Sequence, residues 1–407
     1  MKGTLLRRTL SVLLVFAMLV SLVPTVFAAG SGSAASSYGP LSLTQSVKSP
    51  LDGSFAPVSG DDSLTKYEGS GREPFSKTAE SLLYDPDDMV TFIVVTQEKP
   101  LLETYSVAEI ANPSTYVQKV INRRAASVES IKAEVVSTFG KEEGFQMGYT
   151  YTIATNGFSV TTSYGNKAAL RAMDGVKTVY VAPTFSLPET GVEVGLTPYT
   201  KNSSSMIGGD VLNSTGYTGK GMRIAILDTG ILVDHPNFAA LPEEALEDPV
   251  TRESVDLIWE TLNAGQITTA LNRSYYSTKI PFVFNYVAGD YNVSNTYAGS
   301  DHGTHVAGIA AANKVEGSNV VGVAPDAQLV VMQVFQQGGG AGWADIMAAL
   351  EDCVRLEVDC ANLSLGAAAG FTDPDSDMLR TMELFMDSDI QLLIASGNDT
   401  NNAYGNA

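Results

Sequence analysis

Cysteine is nearly absent, with Cys353 and Cys360 the two thiols in 407 residues. Two thiols astride an expected helix-to-strand junction build no disulfide framework, and they read as small buried hydrophobes. Histidine is as sparse, with His235, His302 and His305 the full set of three. Positive charge is also short: 25 Lys and Arg against 45 Asp and Glu leave a net charge of -20, which opposes nucleic acid or anionic lipid as a partner. Long apolar runs are missing except for "LSVLLVFAMLVSLV" near the amino terminus. That run is shorter than the roughly 20 residues a membrane-spanning helix needs.

The one apolar run follows Lys2, Arg7 and Arg8 and is followed by "VFA" before Ala29, the pattern of a secretory signal peptide over residues 1–28. A chain of this length with 44% hydrophobic residues has material for two or three packed domains. Residues 29–87 are rich in Gly, Ser, Pro and Asp without sustained periodicity and read as a linker or poorly ordered extension.

Periodicity begins near residue 88. "MVTFIVV" reads as a strand, and "PSTYVQKVINRRAASVESIKAEVVSTFG" as a helix opening near Pro113 and Ser114 and ending at Gly140. "FQMGYTYTIATNGFSV" gives two strands with a hairpin turn at Asn156-Gly157, "NKAALRAMDG" a short helix, and "KTVYVAPTF" a strand. The order β-α-β-β-α-β over residues 88–186 predicts a ferredoxin-like α+β unit with both helices on one face of an antiparallel sheet. "LPETG", residues 187–191, matches a cell-wall sorting motif, but polar sequence follows it instead of an apolar tail. Residues 187–204 read instead as an exposed junction open to proteolysis.

From residue 205 the pattern is α/β. "GMRIAILDTGI", "AQLVVMQVF", "VDCANLSLG" and "DIQLLIASGN" are apolar strands, and "WADIMAALEDCVRLE" and "SDMLRTMELFMDS" are amphipathic helices between them. Strands apolar on both faces predict a parallel sheet with helices on both sides. Ligands bind beyond the carboxyl ends of such strands, where Asp228, the loop after Leu365 and Asn398 fall.

"SDHGTHVAGIAAAN" holds two of the three histidines. A zinc reading of His302 and His305 lacks further ligands at suitable spacing. His305 is expected to pack in the core from the helix "HVAGIAAAN", whereas His302, between Asp301 and Gly303 at the helix start, is expected to project into a cleft. Gly303, Ala307 and Gly308 allow close helix approach. An imidazole of pKa about 6.5 exchanges protons with a hydroxyl near neutral pH, given a carboxylate to orient it. Asp228 at a strand terminus is the expected partner; its bland reading is a turn residue in "DTG".

"AILDTGI", "HGTHVAGIAAAN", "GVAPDAQLVVMQVF", "ANLSLG" and "LLIASGND", in this order, resemble the subtilisin-like serine peptidases, the subtilases. The resemblance implies a subtilisin-like α/β fold over residues 205–407, incomplete at its carboxyl end, preceded by an inhibitory propeptide-like domain over 88–186. The long segment between Asp228 and His302 is more similar to bacterial cell-envelope subtilases. It further implies that Asp228 is the orienting acid, His302 the general base and Asn398 the side-chain donor of the oxyanion hole. Ser364, Leu365 and Gly366 resemble the strand that pairs with substrate, and Gly338, Gly339 and Gly340, running on to Gly342, the opposing loop. A peptide lies between them as an added strand. Trp343 lines a pocket for an upstream substrate side chain or packs in the core.

The family's nucleophile sits in a Gly-Thr-Ser turn, and no Gly-Thr-Ser occurs in these 407 residues. The expectation is therefore the amino-terminal portion of a longer secreted or cell-surface precursor, inactive by itself, with the serine encoded further on. Its partners are a polypeptide substrate and its own propeptide as intramolecular inhibitor, with no nucleic acid. The alternative is a peptidase homologue without catalysis that binds peptides. No cofactor is expected to be required. Calcium is frequent in the family, but "GDYNVSNTYAGSD" lacks EF-hand spacing and reads as turns.

Overall fold

The computed structural model describes residues 83–186, 204–268, 272–294, 301–316, 318, 320–337, 339–366 and 376–395. All fall within one compact unit, Ser76–Ala407. The signal sequence, most of the 29–87 segment, the "LPETG" motif, Gly338 and Asn398 lie outside the described residues.

Strand β1 (Met89–Thr96) buries Phe92 and Val94 on one side and Ile93 and Val95 on the other. A short helix α1 (Val107–Ala111) follows, opened by a capping box between Ser106 and Glu109. Helix α2 (Thr115–Phe139) starts where Ser114 accepts the Val117 N–H and stops at Gly140. Its buried positions, Val117, Ile121, Arg124, Val128, Ile131 and Val135, follow the helical period. Strands β2 (Gln146–Tyr151) and β3 (Gly157–Ser163), helix α3 (Lys167–Arg171) and strand β4 (Val176–Val181) complete an antiparallel sheet of order β2-β3-β1-β4, the ferredoxin-like arrangement. One sheet face packs on α2 and α3 through Phe92, Val94, Phe158, Val160 and Leu170. The other faces the rest of the molecule through Ile93, Val95, Tyr149 and Tyr151. Burial on both faces explains why residues 92–95 of β1 read as an unbroken apolar run.

Two expectations about this unit need correction. The link from β2 to β3 is a five-residue loop, 152–156, and not a two-residue turn at Asn156-Gly157. The run "KTVYVAPTF" is not one strand: β4 ends at Val181, Pro183 interrupts, and β5 (Thr184–Phe185) joins a different sheet.

Helix α4 (Gly209–Ser214) leads to β6 (Arg223–Asp228), followed by α5 (Arg252–Ile258), α6 (Asn263–Ile267) and β7 (Phe282–Asn285). Then come α7 (His302–Ala311), β8 (Gln328–Gln333), β9 (Ala341–Gly342), α8 (Trp343–Arg355), β10 (Cys360–Leu363), α9 (Asp377–Met386) and β11 (Gln391–Ile394). The larger sheet has order β11-β10-β6-β8-β7, and every pairing in it is parallel. Helix α7 packs on one face with Ile226, Val283, Leu329 and Val331, and α8 on the other with Ala225, Leu227, Val330 and Met332. This is the subtilisin-like α/β architecture expected from the sequence. Cys353 and Cys360 are free thiols, the first buried and the second half-buried.

Helix α8 is buried nearly all round although its sequence is amphipathic. The ferredoxin-like sheet covers the polar side, and Glu351 and Arg355 find partners in the upstream unit. Glu351 accepts the N–H groups of Thr152 (3.1 Å), Ile153 (2.8 Å) and Ala154 (2.9 Å) from the β2–β3 loop. Arg355 donates to the carbonyl of Ile110 at 2.9 Å. Burial outweighs those backbone bonds and pushes the Glu351 carboxyl up to about 7.

Candidate active site

In an all-parallel sheet every strand ends at the same edge, and β6 is where the chain changes direction. From β6 it builds towards β8 and β7, then returns to build β10 and β11 on the other side. The crevice beyond β6 is thus the expected binding position of such a fold, and Asp228 is its last strand residue.

Asp228 is fully buried, and its Oδ1 accepts the Thr229 N–H at 2.7 Å. Across the crevice, His302 is the first residue of α7, with Nδ1 2.8 Å from Asp228 Oδ1 and 3.0 Å from Oδ2. Gly303 permits this approach. A Cβ there would lie 2.2 Å from the Gly230 carbonyl oxygen and 3.1 Å from Asp228 Oδ1, and its N–H donates to Thr229 Oγ1 at 3.1 Å. Gly308, by contrast, has open space around it and plays no part in the approach. The Asp228 hydrogen bond raises the His302 pKa, burial opposes it, and the charges of Asp228 and Asp301 add to the rise. With Nδ1 engaged by a carboxylate, the ring proton is fixed there and Nε2 is left as the basic nitrogen.

His305 departs from expectation: it is exposed, not in the core. The buried stripe of α7 is Gly303, Ala307 and Ala311, and a residue two positions from Gly303 stands about 200° around the helix. His235 lies elsewhere, its Nδ1 accepting the Asn237 N–H at 3.3 Å. Among the described residues no group of three or more His, Cys, Asp and Glu is arranged to hold a metal ion.

The model of the subtilase family matches residues 219–407. Residues 219–407 form a subtilase domain. The chain is 27% identical over 319 residues to the PII-type proteinase of Lactococcus lactis subsp. cremoris, covering 77% of this chain and 16% of that protein. It is 27% identical over 326 residues to the minor extracellular protease Vpr of Bacillus subtilis, covering 77% of this chain and 34% of that one. It is 29% identical over 198 residues to subtilisin E of Bacillus subtilis, covering 48% of this chain and 39% of that one. The chain thus spans well under half the length of these relatives. The alignments over more than 300 residues are too long for the matched subtilase segment and reach into the upstream unit.

The cleft of the subtilase domain is occupied by the chain itself. β5 pairs antiparallel with β9, Thr184 opposite Gly342 and Phe185 opposite Ala341. On its other side Ser186 exchanges two backbone hydrogen bonds with Gly366, at 3.0 and 3.1 Å. Residues 183–186 therefore lie as an added strand between the two segments expected to hold a peptide. Phe185 packs on Trp343 with ring centroids 6.1 Å apart, and the backbone N–H of Trp343 donates to the Pro183 carbonyl at 2.9 Å. Leu365 is buried and Ser364 Oγ is 2.9 Å from Asn362 Nδ2.

Gly339 and Gly340 form the turn before β9, with the Gly340 carbonyl accepting the Gln336 N–H at 3.1 Å. A Cβ on Gly340 would lie 2.4 Å from Thr184 Cγ2 and 2.5 Å from the Phe185 carbonyl oxygen. Gly340→Ala is accordingly expected to lift the added strand, with amide exchange at Ser186 and Gly366 at least about tenfold faster by hydrogen–deuterium exchange. Sequence reading missed Phe185 and Glu351. The signal for Glu351 was a pair of acidic residues set in the apolar run "AALEDCV".

Proposed function

We propose that the complete protein is a secreted or cell-surface serine endopeptidase made as a precursor, and that residues 88–186 are its intramolecular inhibitor. Asp228 holds the His302 ring, Nε2 takes the proton of a serine hydroxyl, and the serine attacks a peptide carbonyl. His302 then returns the proton to the leaving amine, and water releases the acyl-enzyme. The serine is supplied by sequence after residue 407, and Asn398 donates to the tetrahedral oxyanion together with a backbone N–H. The chain of 407 residues alone has no turnover.

One observation carries this reading: the chain's own residues 183–186 lie as an extra strand in the cleft beside the Asp228–His302 pair. A peptide held so is presented by its backbone, which suits a substrate of varied sequence. Coming from the chain itself, it keeps other peptides out until the 187–204 segment is cut. Export is supported by the amino-terminal signal pattern, and no helix among the described residues is long and apolar enough to cross a membrane.

The test uses the complete reading frame. After processing, a fluorophosphonate is expected to label one serine encoded beyond residue 407, and His302→Ala to abolish both label and peptide hydrolysis. The mature form is expected to begin within residues 189–205. A mature amino terminus well upstream of Gln146, or absence of labelling in the processed protein, contradicts the reading. A reading frame without a serine in a Gly-Thr-Ser turn leaves a peptide-binding homologue.

A further inference from the structure

We propose that Asp345 is a specificity residue of the cleft, selecting lysine or arginine at the substrate position that Thr184 fills here. The inference deepens the reading of this groove as a substrate cleft and rests on it.

The register supplies the geometry. Residues directly opposite in an antiparallel pair turn their side chains to the same face, with Cβ atoms about 4.5–5.5 Å apart. Thr184 stands opposite Gly342, and a Cβ on Gly342 would lie 3.2 Å from Asp345 Oδ2. Gly340, two residues earlier and so on the same face, is the residue whose added Cβ would strike Thr184 Cγ2. The side chain at the Thr184 position therefore projects over two glycines towards the Asp345 carboxylate. Thr184, Ala182, Gln336 and Asp345 all border one cavity of about 530 Å³.

The carboxylate lacks a partner. Asp345 makes no hydrogen bond or ion pair among the described residues, and burial alone pushes its pKa up to about 7. Tyr149, which borders the same cavity, and the buried Tyr151, both of β2, are ionisable neighbours of Asp345, and neither supplies positive charge. Asp345 sits in the first turn of α8, where the helix dipole favours an anion. That explains why a carboxylate is tolerated, but among the described residues it leaves both oxygens without a donor. Threonine is too short to supply one. The four-carbon stem of lysine, or the longer guanidinium arm, spans the gap from the same Cβ. A glutamate there would meet like charge across a few ångströms.

Two arms test this. In the 407-residue chain, Thr184→Lys is expected to slow amide exchange at Ser186 and Trp343 about fivefold, and Thr184→Glu to speed it by a similar factor. In an Asp345→Asn background both effects vanish. In the complete, processed protein, peptides copying residues 180–200 with Lys or Glu at position 184 are expected to differ about tenfold in kcat/KM, and Asp345→Asn brings that ratio near one. Equal exchange rates for the Lys and Glu variants, or a ratio unmoved by Asp345→Asn, overturn the inference. If no peptide is cleaved at all, the peptidase reading fails, while the exchange arm still decides whether Asp345 reads charge at this position.

Discussion

Asp228→Asn is expected to lower kcat of the complete, processed protein about 10⁴-fold, a barrier increase of about 5 kcal/mol. The size follows from what the carboxylate does. Fully buried and 2.8 Å from His302 Nδ1, it accepts the ring N–H, so the free nitrogen facing the cleft is Nε2. An amide can present its own N–H to Nδ1, and the ring then carries its proton on Nε2, where it cannot act as base. The imidazolium formed during reaction also loses its counter-charge. KM is expected to change little, because the backbone of a bound peptide is held by the segments at Gly342 and Gly366. Steady-state kinetics on a chromogenic peptide read both quantities. A loss below about tenfold contradicts the role given to Asp228.

Glu351→Ala is expected to undock the ferredoxin-like unit. Truncation leaves the N–H groups of Thr152, Ile153 and Ala154 buried without their acceptor, and each unsatisfied group costs about 1–3 kcal/mol. Relief of the buried charge returns part of that. A net loss of about 3 kcal/mol corresponds to docking weakened roughly 100-fold. Hydrogen–deuterium exchange is the measurement, with Trp343, Ser186 and Gly366 amides expected to lose protection together. Unchanged protection at all three would sink the prediction.

The same carboxyl gives docking a pH dependence of defined sign. Docked, it titrates at about 7; undocked and solvated, it returns towards its ordinary value of 4.5. Docking therefore takes up a proton between these two values. It strengthens as pH falls from about 7 towards 4.5, weakens as pH rises through that window, and is flat above it. Glu351→Gln removes this carboxyl's share of the dependence, while Asp345, raised to about 7 by burial beside the same sheet, keeps its own.

Local rules account for the parts that were legible in the sequence. Helix α2 carries its own start and stop in Ser114 and Gly140, and the strands of the large sheet are apolar runs bounded by glycine and aspartate. The Asp228 and His302 motifs were legible because each sits at an element end where a short, small-residue segment has to bend sharply. What failed depended on distant partners. The 152–156 loop looked like a tight turn, yet three of its N–H groups are satisfied by Glu351, about 200 residues away. The sequence of α8 shows an amphipathic helix, and nothing local tells that a second unit covers its polar side. Strand β5 was merged into β4 because its pairing partner, β9, lies across the cleft. Helix α1 passed unread although the Ser106–Glu109 capping box marks it.

The most direct measurement of the central claim is the titration of His302 by ¹⁵N-resolved NMR in the 407-residue chain and in its Asp228→Asn variant. The account predicts a pKa above the ordinary 6.5 in the first, with Nδ1 protonated, and a lower value in the second. The pair then contributes stability that is complete below the unfolded pKa and lost as pH rises through the folded one. Identical titration curves for the two proteins would contradict it.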